Sequence, residues 1–442
     1  MFACVILALL LCGMQVMGSA LPVMGCLMIY LLLVGWCCSN DFTLPVLLFF
    51  LPWSPVLRLN PDSYSFYTFG MVLVCLISVA KKRLTFRAYQ IKALVVLLFL
   101  TLLSKLLDGS VLSFDYIAFM MMIALFPMVR EEAKGEKFDF YQLVVFFSVG
   151  IITAALCALF FAASSNIGRF IRVDSWSMVI RRSGFYGDAN FYVAQVLAAL
   201  AGTLSLILGD LKRSRVVWLC VTALFLLYCG FLSGSKSFAL VAVIIILLWI
   251  VAIFRMRGRA GLKIVLLGFV ICTAGFVATS MMFNGLIEVI VTRFSSAKDL
   301  NSLTTGRIAL WESYIQEIVG NGKVFFLGRG FTDIKVNGLA SHNTILQAFY
   351  QFGLLGVPVL VYWITCFFRS ENPGNRSLKH PDLKIWMIGI GTFLPWMAID
   401  IMFFDEFFLF QTYIYFAVRM TGSNHGQSAS VRENNNQLGG RL

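Results

Sequence analysis

The sequence predicts an all-α protein that crosses a membrane with about 12–14 helices. First, hydrophobic residues make up 60% of the chain and charged residues only 13%, whereas soluble proteins are about half apolar and about a quarter charged. Second, apolar runs of roughly 17–25 residues, the length of a helical membrane span, recur along the whole chain. Third, the sequence lacks the residue alternation of outer-membrane barrels. Because lipid cannot bond to exposed backbone groups, the helix is then the default structure of a membrane span.

Fourteen apolar runs are candidate membrane spans. The first run has no basic residues before it and is followed at once by a second apolar run, so we interpret it as a span rather than a signal peptide. The run 43–57 contains three prolines, which predicts a re-entrant or broken segment. The candidates are 2–17, 20–38, 43–57, 65–80, 91–107, 111–128, 139–163, 189–208, 216–232, 237–254, 264–283, 343–368, 384–404 and 407–420.

Short basic loops predict the orientation of these spans, because Lys and Arg favour the cytoplasmic side of a membrane. The net charge of +13 therefore indicates topology rather than nucleic-acid binding, and we expect no nucleic-acid partner. Both termini are predicted in the cytoplasm, with a single membrane domain at 1–422 and a polar, disordered tail at 423–442. The basic loops are 81–92, 129–137, 210–215, 255–263 and 369–384.

Two loops are longer than the others, and the alternation of spans places both of them outside the cytoplasm. The first covers residues 164–188 and the second covers residues 284–342. Because the remaining loops are short, the non-cytoplasmic face is where this chain can hold a site.

The first of these loops ends in a basic turn, RRSGFYGDAN, at residues 181–190. Arg181 or Arg182 would supply an anion site, because a guanidinium is always charged and its planar fork suits phosphate oxygens. Asp188 or Asn190 can cap the helix that follows. The alternative is that this loop only contacts lipid headgroups and starts a helix.

The second loop contains TGRIALW at residues 305–311, which begins a predicted amphipathic helix. Arg307, Trp311 and Tyr314 share one face of that helix, and we expect the two aromatic rings at the headgroup level of the membrane surface. Arg307 is the second candidate cation. The alternative is that its aliphatic stem simply snorkels along the membrane.

His342 is one of only three histidines, and it stands at the start of an apolar run. Its imidazole can accept a proton near neutral pH, because the unperturbed pKa of histidine is about 6.5. The alternative is a helix-start residue with Ser341 and Asn343 capping around it. The predicted topology places His342 on the same side of the membrane as the arginines, so two cations and one base would converge.

Such a triplet suits glycosyl transfer from a lipid-linked diphosphate. Cations stabilise the charge that develops on the diphosphate leaving group, and a base activates a sugar hydroxyl. The chain has no Asp-x-Asp stretch, and its eleven cysteines show no metal-ligand spacing, so we expect no metal and no cofactor. Ser233, Ser235 and Lys236 form a polar break that can assist an anion site, although a plain hairpin turn is the simpler interpretation.

Four stretches occur in the order found in the O-antigen ligase and O-antigen polymerase superfamily of bacterial inner-membrane glycosyltransferases. The chain resembles that family over residues 140–370, while the first 130 residues match only as serial membrane helices. The four stretches are RRSGFYGDAN (181–190), FLSGSKS (231–237), TGRIALW (305–311) and HNTILQAFYQFGLLG (342–356).

The resemblance implies that an undecaprenyl-diphosphate-linked glycan binds on the periplasmic face of the inner membrane. Its sugar would pass to an acceptor hydroxyl with inversion and without a metal. Arg182 (or Arg181) and Arg307 would contact the diphosphate, and His342 would assist at the acceptor hydroxyl. The implied catalytic residues are His342, Arg307 and Arg182, with Asp188, Asn190, Asn343, Trp311 and Lys236 in support.

Two departures from the family pattern and several alternatives stay open. Tandem arginines leave the first cation ambiguous, and Asp188-Ala189-Asn190 replaces the more usual Asn/Asp-Pro-Asn. We favour a polymerase of O-antigen or capsule repeat units because HNTILQAFYQFGLLG looks more like the polymerases. The alternative is a ligase that transfers the finished glycan to a lipid A core. With either activity, a protein that regulates glycan chain length is a further possible partner.

A transporter of lipid-linked glycans, without chemistry, is the alternative from another class. Transporters carry ionisable residues within their membrane spans and often show internal repeats. The chain shows no convincing repeat, and Asp400, Asp405 and Glu406 are its best transporter-like residues. A scaffold with no small-molecule site is the third interpretation.

Overall fold

A computed structural model of the chain describes its architecture. It covers residues 1–81, 88–107, 137–171, 182–209, 211–257, 295, 304, 306–330, 336–368, 383–400 and 413. Within these ranges the regular elements are helices, apart from one isolated antiparallel bridge between Val336 and Leu339. The predicted all-α class is confirmed.

The helices are numbered in chain order over the described ranges. Two short 3-10 helices, at Leu51–Trp53 and Leu394–Ala398, continue α3 and α14 respectively. The α-helices are α1 Phe2–Met17, α2 Ala20–Ser39, α3 Thr43–Phe50, α4 Phe66–Ala80, α5 Ala88–Leu107, α6 Phe140–Phe160, α7 Ser165–Gly168, α8 Ala189–Ile207, α9 Arg213–Leu232, α10 Lys236–Arg257, α11 Arg307–Gly320, α12 Gly322–Leu327, α13 Thr344–Phe368 and α14 Leu383–Phe393.

Seven of these helices, among the described residues, are long and apolar enough to cross a membrane: α2, α5, α6, α8, α9, α10 and α13. Four shorter apolar helices are α1, α3 with its 3-10 extension, α4, and α14 with its 3-10 extension. These elements fall on the predicted spans within a few residues. The predicted spans 111–128 and 264–283, and 407–420 apart from Tyr413, lie outside the described residues, as does the tail 423–442. A multi-pass helical membrane protein is therefore confirmed.

The proline-containing segment 43–57 is a broken helix in the interior of the bundle, as its sequence predicted. Residues 43 to 53 are all buried, and the helix ends after only eight residues plus a 3-10 turn. Side chains from other helices satisfy the carbonyls that the break exposes. Tyr67 Oη donates to Leu47 O at 2.9 Å, and Gln15 Nε2 donates to Val56 O at 3.2 Å. Such pairing is what allows irregular backbone within a membrane protein.

One end of the bundle is marked by two lysine contacts. Lys81 Nζ donates to Ser39 O at 2.8 Å, and Lys137 lies 3.4 Å from an Asp41 carboxylate oxygen. We call this the basic end, and the basic-loop rule predicts that it lies on the cytoplasmic side. Helices α5 and α6 begin just after it in the chain and run toward the other end, which we call the site end.

Helix α13 is interrupted at Gly353, whose backbone has φ 63° and ψ −176°. The turn that follows α12 docks against this break. The backbone N–H of Arg329 donates to Tyr350 O at 2.8 Å, and that of Gly330 donates to Gln351 O at 2.9 Å. The turn after α12 thus supplies backbone N–H donors to two carbonyls of α13 that lie beside the break.

Glycine is required on both sides of this contact, which gives the first prediction. In the Gly328→Ala variant the new Cβ would overlap the Gln351 carbonyl, and in Gly353→Ala it would lie 2.5 Å from Gly328 N. Both neighbours are backbone atoms that cannot rotate away. We expect each variant to lose about 3 kcal/mol of stability or more, measured as a lower thermal unfolding midpoint in nanodiscs.

The matched control is Gly338→Ala, since Gly338 has a similar φ of 75° and a Cβ at this position would meet nothing within 4 Å. That variant carries only the left-handed backbone penalty of about 1–2 kcal/mol. Equal losses for Gly328→Ala and Gly338→Ala would show that the close approach at the α13 break is not what requires glycine.

Candidate functional site

The first two sequence stretches that carry the resemblance come together at the site end. The backbone N–H of Arg182 donates to Leu232 O, the last residue of α9, at 3.1 Å. Ser235 Oγ, in the tight turn between α9 and α10, donates to Asn190 Oδ1 at 3.1 Å. The basic turn before α8 is therefore fastened to the α9–α10 turn by one backbone and one side-chain hydrogen bond.

The two predicted helix-cap residues of this stretch have different roles. Asp188 is the N-cap of α8, because its carboxylate accepts from the backbone N–H of Asn190 at 2.7 Å. The Asn190 side chain instead accepts the hydrogen bond from Ser235, whose hydroxyl also lies 2.8 Å from Ser237 Oγ. Lys236, the first residue of α10, is half-buried beside this hydroxyl pair. The supporting residues Asp188, Asn190 and Lys236 thus meet at one place.

The predicted cation of this turn lies at the surface. Arg182 is exposed, and its positive charge acts on the Tyr228 hydroxyl one turn before the end of α9. Arg181, the alternative, lies outside the described residues. Whether Arg181 or Arg182 is the diphosphate-binding arginine therefore stays open, as it did in the sequence.

The third and fourth stretches also come together. Trp311 Nε1, in α11, donates to Ser341 O at 3.0 Å, and Tyr314 Oη donates to Leu339 O at 2.9 Å. The Tyr314 ring packs edge-on against Tyr350 of α13, with centroids 5.0 Å apart. This aromatic face of α11 therefore packs on the protein, and the expectation that Trp311 and Tyr314 lie at headgroup level stays a prediction.

Tyr314 is held as a permanent hydrogen-bond donor. Burial raises its pKa to about 12, and the nearby Asp400 carboxylate and Tyr350 act in the same direction, while a hydrogen bond from the Val336 backbone N–H opposes them. The phenol therefore stays protonated at any physiological pH. It fixes α11, whose first residue is the half-buried Arg307, relative to the turn that carries His342.

A buried carboxylate organises the turn at His342. Asp400 is only 8% exposed, and its two oxygens accept three hydrogen bonds from consecutive residues. The backbone N–H of His342 donates to Oδ2 at 2.7 Å, that of Asn343 donates to Oδ1 at 3.1 Å, and Ser341 Oγ also donates to Oδ1. These bonds hold His342 in the left-handed conformation, with φ 49°.

The capping alternative for this turn is correct in part. Asn343 Oδ1 caps α13 by accepting from the backbone N–H groups of Ile345 and Leu346, at 3.0 and 3.2 Å. Ser341 Oγ bonds to Asp400 and also accepts from the backbone N–H of Asn343 at 3.3 Å. His342 contributes its backbone N–H to the cluster, while its side chain stays partly exposed. The cap therefore accounts for Asn343 and leaves the imidazole for another role.

The segment that carries Asp400 lies between the helices of the first two stretches and the helix of the fourth stretch. The 3-10 helix Leu394–Ala398 ends two residues before Asp400 and packs against α8, α10 and α13. Thr344 Oγ1, at the first residue of α13, donates to Ile399 O at 2.6 Å. Helices α8 and α10 begin at the first two stretches, and α13 begins at the fourth. The short segment before Asp400 therefore contacts α8, α10 and α13, the helices that begin at these stretches.

Sequence reasoning missed the role of Asp400. It named this residue as a transporter-like acid near a membrane span, whereas the structure places it beneath His342. The signal in the sequence is an isolated acid at the end of an apolar run, and nothing in a single sequence says which residue it pairs with. No protein-family model matches this chain, and no curated protein is significantly similar to it.

Proposed function

We propose that this chain polymerises surface polysaccharide, extending O-antigen or capsule repeat units from a polyprenyl-diphosphate-linked glycan on the non-cytoplasmic face of the membrane. The observation that carries the proposal is the turn at His342. Its backbone is held by the buried Asp400, and its neighbour Ser341 is fastened to α11, the helix that Arg307 begins. A candidate base and a candidate cation are thus set on one rigid framework.

The proposed step is an inverting displacement at the anomeric carbon of the donor sugar. The acceptor hydroxyl oxygen forms the new glycosidic bond, the bond from that carbon to the diphosphate breaks, and the diphosphate leaves with the bonding electron pair. His342 takes the proton of the acceptor hydroxyl. Arg307 and Arg182 stabilise the negative charge that builds up on the diphosphate, as positioned cations do for a developing anion.

The arrangement around Asp400 favours an enzyme over a transporter. A transporter would use an ionisable residue near the membrane midplane to bind a coupling ion or a proton. The Asp400 carboxylate accepts three hydrogen bonds from Ser341, His342 and Asn343, so it is committed to positioning a turn. A rigid turn that presents an imidazole is the arrangement that a chemical step needs.

The test is a reaction with purified protein in nanodiscs, undecaprenyl-diphosphate-linked repeat units and excess EDTA. We expect a ladder of longer lipid-linked glycans, which the Arg307→Ala variant should lose by at least about 100-fold, because a positioned charge-stabilising group contributes about that much. Arg255→Ala is the matched control, since Arg255 is exposed near the opposite end of α10.

Four results would contradict the proposal. Transfer of glycan only to an added lipid A core would indicate the ligase, and no glycan product with any acceptor would favour the transporter. Loss of the ladder in EDTA with recovery in magnesium would exclude the metal-independent step. Full activity of Arg307→Ala would remove Arg307 from the site.

A further inference from the structure

The segment Arg307–Gly330, which we call the α11–α12 hairpin, runs alongside the first half of α13. Trp311 contacts Ser341, just before α13 begins, and Tyr314 packs on Tyr350. At the far end a Cβ on Gly353 would lie 2.5 Å from Phe326 O. Nine residues separate the start of α13 from Gly353, a rise of about 14 Å, which is about half the thickness of the bilayer core.

The lower end of this hairpin also contacts a second membrane-spanning helix. Ser104 Oγ, in the last turn of α5, donates to Gly328 O at 2.6 Å. A Cβ on Gly330 would lie 3.4 Å from Thr101 O, a further turn down α5. Both α5 and α13 are long and apolar enough to cross the membrane. The lower end of the hairpin therefore lies against the last two turns of α5, within the site-end part of that span.

Three large apolar side chains on the hairpin are exposed: Ile315 is 51% exposed, Val319 is 67% exposed and Phe326 is 51% exposed. The exposed polar side chains of the hairpin, Glu312 and Gln316, lie nearer the start of α11 than Val319 does. In the lower half of the hairpin Arg329 forms an ion pair with Glu317, and these side chains are 23% and 36% exposed respectively. Charged groups within membrane-embedded segments usually pair with one another in this way.

The irregular backbone of the hairpin is satisfied by the protein itself. Asn321 Oδ1 caps α12 by accepting from the backbone N–H groups of Lys323 and Val324, at 3.1 and 3.3 Å. The N–H groups of Arg329 and Gly330 bond to carbonyls beside the break in α13. Lipid offers no hydrogen-bond partners, so non-helical backbone at membrane depth must be paired within the protein, and these groups meet that requirement.

We infer that the α11–α12 hairpin is a re-entrant element embedded in the leaflet at the site end, with Ile315, Val319 and Phe326 in contact with lipid acyl chains. The occupant is lipid because the exposed apolar surface continues onto α13, where Ile345 and Leu354 are also exposed. This inference stands independently of the proposed function, since Ile315, Val319 and Phe326 take no part in the proposed reaction. It revises the predicted loop 284–342, part of which then lies in the membrane.

Spin labels test the inference in nanodiscs. Single cysteines introduced as Val319→Cys and Phe326→Cys would be labelled and compared with Glu312→Cys, an exposed polar position on α11. We expect collisions with oxygen to exceed collisions with a water-soluble nickel chelate at 319 and 326 by at least about threefold relative to 312, because oxygen partitions into hydrocarbon while a charged chelate does not. Unmutated protein carried through the same labelling supplies the background from native cysteines.

Two outcomes of the labelling would overturn the inference. Nickel-chelate access at 319 and 326 equal to that at 312 would place the hairpin in water. Low access of both reagents, with immobilised labels, would mean that a second copy of the chain covers this face. A parallel experiment needs no substitution: a phospholipid with a diazirine in its acyl chain should photolabel a peptide spanning 315–327 of the unmodified protein. Absence of that adduct, with α13 labelled in the same sample, would also overturn the inference.

Discussion

The His342→Gly variant should remain as stable as the natural chain, within about 1 kcal/mol, and yet lose glycan extension by about 100-fold or more. Residue 342 sits in the left-handed region, with φ 49°. Glycine adopts that region without the penalty of about 1–2 kcal/mol that other residues incur, and this gain offsets its greater loss of chain entropy on folding. The backbone N–H that binds Asp400 is retained, so only the imidazole is removed.

This substitution separates chemistry from folding, because a structural role predicts the opposite outcome. If His342 only holds the turn, His342→Gly should be as active as the natural protein. His342→Asn is the matched variant, since asparagine tolerates the left-handed region and offers no comparable base. The measurements are initial rates of ladder formation and thermal unfolding midpoints on the same preparations. Near-natural rates in both variants would leave His342 as a turn residue only.

The Asp400→Ala variant should lose both stability and activity. It leaves the backbone N–H groups of His342 and Asn343, and the hydroxyl of Ser341, without the acceptor they share in a buried site. A buried donor without a partner costs about 1–3 kcal/mol, so we expect a loss of about 3 kcal/mol or more. Glycan extension should fall by at least about 100-fold, because misplacing a catalytic group by a small distance has effects of that size.

Two further variants show whether this loss arises from positioning. Asp400→Asn keeps the shape and one acceptor oxygen, so its stability and rate should lie between those of the natural chain and Asp400→Ala. Asp62→Ala removes an exposed acid from a loop between α3 and α4 and should change neither quantity. Full activity of Asp400→Ala, at a temperature where it remains folded, would show that the carboxylate does not position His342.

The sequence predicted the spans well, because a membrane helix is defined by length and apolar composition alone. Helices α8 and α13 begin within one residue of the predicted spans 189–208 and 343–368. The broken segment 43–57 was also predicted, since proline removes a backbone donor and disrupts the helix around it. The helix starts and the proline break depend on neighbouring residues in the chain, so the sequence alone was enough to predict them.

The arrangement of the site depended on contacts that are distant in sequence. Asp400 binds a turn 58 residues earlier in the chain, and no pattern in a single sequence links the two. The protein partners of the aromatic face of α11 were missed for a related reason. An aromatic face that includes Trp311 and Tyr314 fits a lipid interface and a protein interior equally well, and only the partners Ser341 and Leu339 decide between them.

The sequence distance between Asp400 and the turn it holds has a consequence for biosynthesis. Membrane helices are inserted in the order in which the ribosome makes them, so both arginine-bearing stretches and His342 are translated before Asp400 exists. During that interval the donors of the Ser341–Asn343 turn lack the acceptor that they share in the finished protein. A nascent chain therefore completes this part of its architecture late, and a stop codon between His342 and Asp400 removes the acceptor of this turn even though all three proposed catalytic side chains have been made.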